Sequence, residues 1–184
     1  MTTSTAVPAH LRHAMIGHDA ALKSDHKTAL THYRDAMKMA VESKAPEVFF
    51  RHYLEASLES LELTGAFEDV ISYCDRAIGH YRENPPPHDL ALLDLATIHQ
   101  RKGVVLLKSG DTAGARLALT EARTTAGNAG GKLELTERLL DWLRRGLVVS
   151  PDRLLHEQRQ LKYFSVRPDT VSKPLTSTHA NTAR

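Results

Sequence analysis

Apolar residues recur every three or four positions along most of the chain, which is the spacing of one face of an α-helix. Ser24-Asp25 interrupts the first stretch, and its polar side chains can cap the helix that follows. The apolar residues before this break are Leu11, Ile16, Ala20 and Leu22, and those after it are Ala29, Leu30, Tyr33, Ala36, Met37 and Ala40. The first stretch therefore predicts a pair of helices.

The same organisation occurs twice more. Thr64-Gly65 divides the second stretch and Gly110-Asp111 divides the third, while Pro85-Pro86-Pro87 forms a stiff connector between them. The second stretch has Phe50, Leu54, Leu58 and Leu61, then Val70, Ile71, Cys74, Ala77 and Ile78; the third has Leu92, Leu95, Ile98, Leu106 and Leu107, then Ala115, Leu119 and Ala122. Alternating valine-rich runs joined by Asn-Gly turns are missing, so the sequence predicts an all-α fold.

Beyond the third pair, the glycine-rich stretch 127–131 ends a helix. Residues 132–147 are predicted to form a capping helix, and an eighth helix is expected from Pro151 to about Phe164. We therefore expect one helical domain over residues 8–164.

Both ends of the chain differ from this domain in composition. Residues 1–7 are predicted to be a flexible N-terminus. Residues 165–184 are rich in Ser, Thr and Pro, and are predicted to be a disordered polar tail.

Five positions have identical spacing in the first and third pairs. Gly17, Ala20, Ala29, Tyr33 and Ala36 correspond to Gly103, Leu106, Ala115, Leu119 and Ala122, and the second pair fits more loosely with Leu58, Leu61, Gly65, Val70, Cys74 and Ala77. This pattern resembles the tetratricopeptide repeat, over about residues 8–126. The equivalent positions Ala29, Val70 and Ala115 in the second helices are 41 and 45 residues apart, whereas the usual period is about 34. This longer period is similar to that of the long-helix variants of the family. A generic alanine-rich helical bundle is the alternative.

The resemblance implies a solenoid of about three antiparallel helix pairs, closed by one or more C-terminal capping helices. It also implies that the first helix of each pair lines a concave groove. The groove positions are His18 and Leu22 in the first pair, His52, Glu55, Glu59 and Glu62 in the second, and Gln100, Val104 and Lys108 in the third. Glu55, Glu59 and Glu62 share one helix face, so we expect the groove to prefer a basic or amphipathic helical segment of a partner.

Charge and cysteine content narrow the classes of function. The 184 residues carry a formal net charge of +2, which argues against a general nucleic-acid or membrane-surface binder. Cys74 is the only cysteine, which excludes an intrachain disulfide and favours a reducing compartment. Residues 1–7 do not resemble a secretory signal, and no apolar stretch approaches the length of a membrane helix, so we expect a cytoplasmic protein.

Candidate chemistry is sparse. His156-Glu157 begins like a metalloprotease HExxH motif, but Gln160 replaces the second ligand. Gly131-Lys132 resembles the end of a phosphate-binding loop without its other residues. His10 and His13 lie three apart and can share a helix face, and Cys74 occupies a core position. We expect no catalytic residue, metal or cofactor, and we interpret the protein as non-enzymatic.

The sequence thus favours an adaptor or scaffold that binds another protein and assists complex assembly. A peptide-sensing regulatory module or a secretion-type chaperone is one alternative. A structural subunit of a larger machine is another, and the open end of a solenoid also permits homo-oligomers.

Overall fold

The computed structural model describes residues 7–171. Within this range the chain forms eight α-helices and no strand. The helices are α1 (Ala9–Leu22), α2 (His26–Glu42), α3 (Glu47–Leu63), α4 (Phe67–Glu83), α5 (Asp89–Ser109), α6 (Thr112–Asn128), α7 (Glu134–Arg144) and α8 (Pro151–Gln160). The all-α prediction is confirmed. The flexible N-terminus expected for residues 1–7, apart from Val7, lies outside the described residues.

At two of the three predicted breaks, a side chain caps the helix that follows; α4, after the Thr64-Gly65 break, begins without a side-chain cap. Asp25 accepts a hydrogen bond from the backbone N–H of Thr28, and Asp111 accepts one of 2.8 Å from that of Gly114. Gly110 ends α5 with a φ of 90°, a left-handed conformation that glycine adopts without strain. The predicted breaks therefore lie where one helix ends and the next begins.

Contacts divide the chain into two compact units, with the boundary inside α3. The described part of the first unit comprises residues 7–60 and 165–171, and the second comprises residues 61–164. The sequence had predicted disorder from residue 165. That start is too early, because residues 165–171 fold within the first unit: the Thr170 hydroxyl donates to the carbonyl of Ser165, for example. Residues 172–184 lie outside the described residues.

The first unit is built on close packing of α1 against α2. A Cβ atom added at Gly17 would lie only 2.5 Å from Cε1 of Tyr33, so the glycine makes room for the aromatic ring. Small residues and two tyrosines form the surrounding core: Ala14, Ala36, Ala40 and Tyr53 in one cluster, and Ala20, Ala29, Tyr33 and Ala56 in another. The predicted alanine-rich helix contact is present here.

The second unit repeats this arrangement where α5 packs against α6. A Cβ atom at Gly103 would lie 2.6 Å from Cγ of Leu119, at positions that correspond to Gly17 and Tyr33. In addition, α4 packs against α5 and α6 packs against α7. The main core comprises Val104, Leu119, Leu135, Leu139, Leu140, Trp142, Leu143 and Leu154. Helix α7, predicted as a cap, thus supplies most of this core.

Among residues 7–171, no helix has both the length and the apolar character needed to cross a membrane.

Candidate functional site

Several residues assigned to the groove are buried within their own unit. They are Glu59, Glu62, Gln100, Val104 and the side chain of Lys108. Glu59 and Glu62, which share one face of α3, are each only 2% exposed, so other parts of the chain cover both carboxylates. Helical spacing shows that residues share a face, but it does not show whether other parts of the chain cover that face.

In the second unit, Glu62 is the centre of a buried charge network. One of its carboxylate oxygens accepts hydrogen bonds of 2.7 Å from both Lys108 Nζ and Gln158 Nε2. The other accepts from Arg101 Nη1 at 3.3 Å and from the Tyr163 hydroxyl at 2.9 Å. Two cations and two neutral donors surround one anion, which is the pairing a buried charge requires. Glu62 and Lys108 therefore hold the unit together.

Gln100 and Val104 join α5 to the C-terminal helices of the same unit. The Thr136 hydroxyl donates a 2.8 Å hydrogen bond to Oε1 of Gln100, and both residues are buried. Val104 belongs to the main core. Their side chains pack inside the unit in this structure, not along an open groove.

In the first unit, Glu59 holds a short stretch of backbone. Its two carboxylate oxygens accept hydrogen bonds from the backbone N–H groups of Ser165 and Val166. The Val166 side chain packs against the cluster that contains Ala29 and Tyr33. A carboxylate that accepts hydrogen bonds from two consecutive backbone amides, next to an apolar contact, can bind a short peptide segment.

In the first unit, three buried polar atoms have no hydrogen-bond partner among the described residues: the Tyr33 hydroxyl, Nε2 of His18 and the Ser165 hydroxyl. The rings of Tyr33 and His18 are 5.5 Å apart between centroids. Burial raises the pKa of Tyr33, and the negative charge of Glu59 raises it further. Buried groups that could form a hydrogen bond but do not are uncommon, and each calls for an explanation, such as strain or a functional role.

The two histidines of this site are shifted towards their neutral forms. Burial, and to a lesser degree the charge of His52, lower the pKa of His18 to about 4. Desolvation also lowers the pKa of His52, against the effect of Glu55. The His18 and His52 rings meet edge to face, 5.2 Å apart. Near neutral pH, His18 thus presents an uncharged imidazole suited to hydrogen bonding.

The structure therefore brings together part of the predicted set. In the first unit His18 contacts Tyr33, whose pKa the charge of Glu59 raises, and the exposed His52 contacts His18 on its other side. Glu55 is half-buried, and Leu22 is 39% exposed at the end of α1. The sequence pattern predicted Tyr33 only as a core residue and did not indicate its buried hydroxyl without a partner among the described residues. The hydroxyl of a buried tyrosine usually needs a partner, and this requirement was the available signal.

Comparison with models of protein families, with curated proteins and with solved structures finds no match to this chain.

Proposed function

We propose that this protein is a non-enzymatic, tetratricopeptide-like adaptor of the cytoplasm that binds an extended segment of a partner protein. The proposed binding site is the Glu59 grip, defined as Glu59, Tyr33, His18 and His52. The partner segment offers two consecutive backbone N–H groups and a small apolar side chain, as Ser165 and Val166 do. This chemistry replaces the basic or amphipathic helix expected from the sequence.

One observation carries the proposal: the grip already holds a peptide segment of this chain, while the Tyr33 hydroxyl and Nε2 of His18 have no hydrogen-bond partner among the described residues. The chain's own segment fills the site only in part. A partner segment that also bonds the Tyr33 hydroxyl or Nε2 of His18 would gain hydrogen bonds that the internal segment does not make. Such a partner can therefore displace residues 165–171.

The test uses the tagged, full-length protein purified gently from its native host. Val166→Asp should weaken the hold on the internal segment and raise the yield of the co-purifying partner. Val148→Asp is the matched control, since Val148 is 90% exposed. A synthetic peptide of residues 165–171 should reduce capture by the wild-type protein, because it competes for the same site.

Tyr33→Phe separates binding from folding. It removes only the hydroxyl that has no partner, so the free energy of unfolding should hold or rise, while partner capture should fall. Tyr163→Phe should lower the free energy of unfolding, since it removes a hydrogen bond to Glu62. It should leave partner capture unchanged, because Tyr163 is not part of the Glu59 grip. Equal capture by the wild type, Val166→Asp and Tyr33→Phe would overturn the proposal, and so would the recovery of the protein alone in every case.

A further inference from the structure

Three side chains with metal-ligating atoms converge where α1 packs against α2, apart from the Glu59 grip. His13 lies on α1, while His32 and Asp35 lie one turn apart on α2. The Nδ1 atom of His13 is 3.1 Å from that of His32 and 3.7 Å from Oδ2 of Asp35. The three ligand atoms all lie within 4.8 Å of one another.

We propose that His13, His32 and Asp35 form a binding site for a divalent transition-metal ion of the zinc type. In a tetrahedral zinc site, bonds of about 2.0–2.1 Å place neighbouring ligand atoms about 3.3 Å apart. The measured separations of 3.1 and 3.7 Å bracket this value. Small rotations of the side chains are enough to bring all three atoms onto one ion.

The chemistry of the donors selects the ion. Two imidazole nitrogens and one carboxylate oxygen suit Zn²⁺, and Cu²⁺ or Ni²⁺ can compete for the same set. Without metal, the hydrogen bond between the two Nδ1 atoms places a proton on one of them. On metal binding that ring changes to the Nε2–H tautomer, so both Nδ1 lone pairs are available. Two Zn–N bonds and one Zn–O bond then form as three water ligands leave the aqueous ion. The site is half-buried, so water can take the fourth position.

The sequence did not reveal this site, because the ligands belong to two helices. His10 and His13 were the pair with suggestive spacing, but Nδ1 of His10 instead bonds the buried hydroxyl of Tyr53 at 2.7 Å. A metal ion held by His13, His32 and Asp35 would join α1 to α2. The inference does not depend on the proposed adaptor function.

The experiment titrates the metal-free, tag-free full-length protein with Zn²⁺ by calorimetry at pH 7.5, with Co²⁺ as a spectroscopic probe. We expect one Zn²⁺ per chain, a tetrahedral Co²⁺ spectrum and a rise in Tm with free zinc. His32→Gln and Asp35→Asn should each lower the affinity at least tenfold, with unchanged helical circular dichroism. His156→Gln, on the exposed surface of α8, is the matched control and should bind as the wild type does.

Equal affinities of His32→Gln and His156→Gln would overturn the proposal, since they would show scattered binding to surface histidines. The absence of saturable binding to the folded wild type would overturn it as well. His32 and Asp35 are half-buried, outside the apolar core, so neither substitution should unfold the protein. Loss of zinc binding by either variant, with an intact helical spectrum, supports the site.

Discussion

At the scale of single residues, the glycines at the two helix crossings are the most sensitive backbone positions. A methyl group at Gly17 would meet the Tyr33 ring at 2.5 Å, and one at Gly103 would meet Leu119 at 2.6 Å. Overpacking of this kind destabilises by about 1–3 kcal/mol, and the better helix propensity of alanine offsets about 1 kcal/mol. We expect Gly17→Ala and Gly103→Ala to lower the free energy of unfolding by about 1–2 kcal/mol, measured by urea titration.

Gly79→Ala is the control for these substitutions. Gly79 also lies inside a helix, but a Cβ atom there meets nothing within 4 Å. This change should stabilise the protein by about 0.5–1 kcal/mol through helix propensity alone. If all three variants moved in the same direction, close helix approach at Gly17 and Gly103 would be contradicted.

Among residues 7–171, His18 is one of four histidines, with His26, His52 and His99, whose lowered pKa makes stability depend on pH. Its pKa is about 4 in the folded state, against an ordinary value of 6.5. The unfolded chain therefore binds more protons between these two values, so the free energy of unfolding should decrease as the pH falls from 6.5 to 4. The decrease attributable to His18 is up to about 3 kcal/mol. Urea midpoints at a series of pH values measure it.

His18→Gln should flatten this dependence, because glutamine does not titrate. The exposed His156→Gln should leave it unchanged. His52 lies against His18 and is itself shifted in the same direction, so part of the slope remains in the His18 variant. A slope identical to that of the wild type would refute the assignment.

At the scale of elements, sequence patterns located the helices and their breaks well. Apolar spacing and capping aspartates are local features, and local features determine where a helix begins and ends. These local features did not predict which other parts of the chain pack over each helix face. Gln158 and Tyr163, which bond Glu62, lie 96 and 101 residues further along the chain. The spacing of Glu59 and Glu62 on α3 therefore did not indicate that residues distant in the sequence cover them.

The Glu62 network joins α3 to α5, α8 and Tyr163. Glu62→Ala removes the carboxylate that pairs with the buried side chains of Arg101 and Lys108, and breaking such a pair costs about 3–5 kcal/mol. We expect a loss of this size in urea unfolding. Glu68→Ala, at an exposed position of α4, should change the free energy of unfolding by less than about 0.5 kcal/mol. Similar effects for the two variants would show that Glu62 is not a structural centre.

At the scale of the whole molecule, the fold class followed from the sequence, whereas the division into units did not. Gly17 and Tyr33 have the same spacing in the sequence as Gly103 and Leu119. In the structure, each glycine lies in close contact with the larger side chain of its pair. The contribution of residues 165–171 to the first unit was not visible. Their composition is polar, and their order depends on Glu59 and on the pocket that receives Val166.

The most direct test of the account is the hydrogen exchange of the Ser165 and Val166 amides in the full-length protein, measured by NMR. We expect both amides to exchange at least about tenfold more slowly than in a free chain, because both N–H groups donate to the buried Glu59. Protection should disappear in Glu59→Ala and persist in Glu68→Ala. Exchange of both amides at the rate of an unstructured peptide in the wild type would contradict the grip, and with it the proposed binding site.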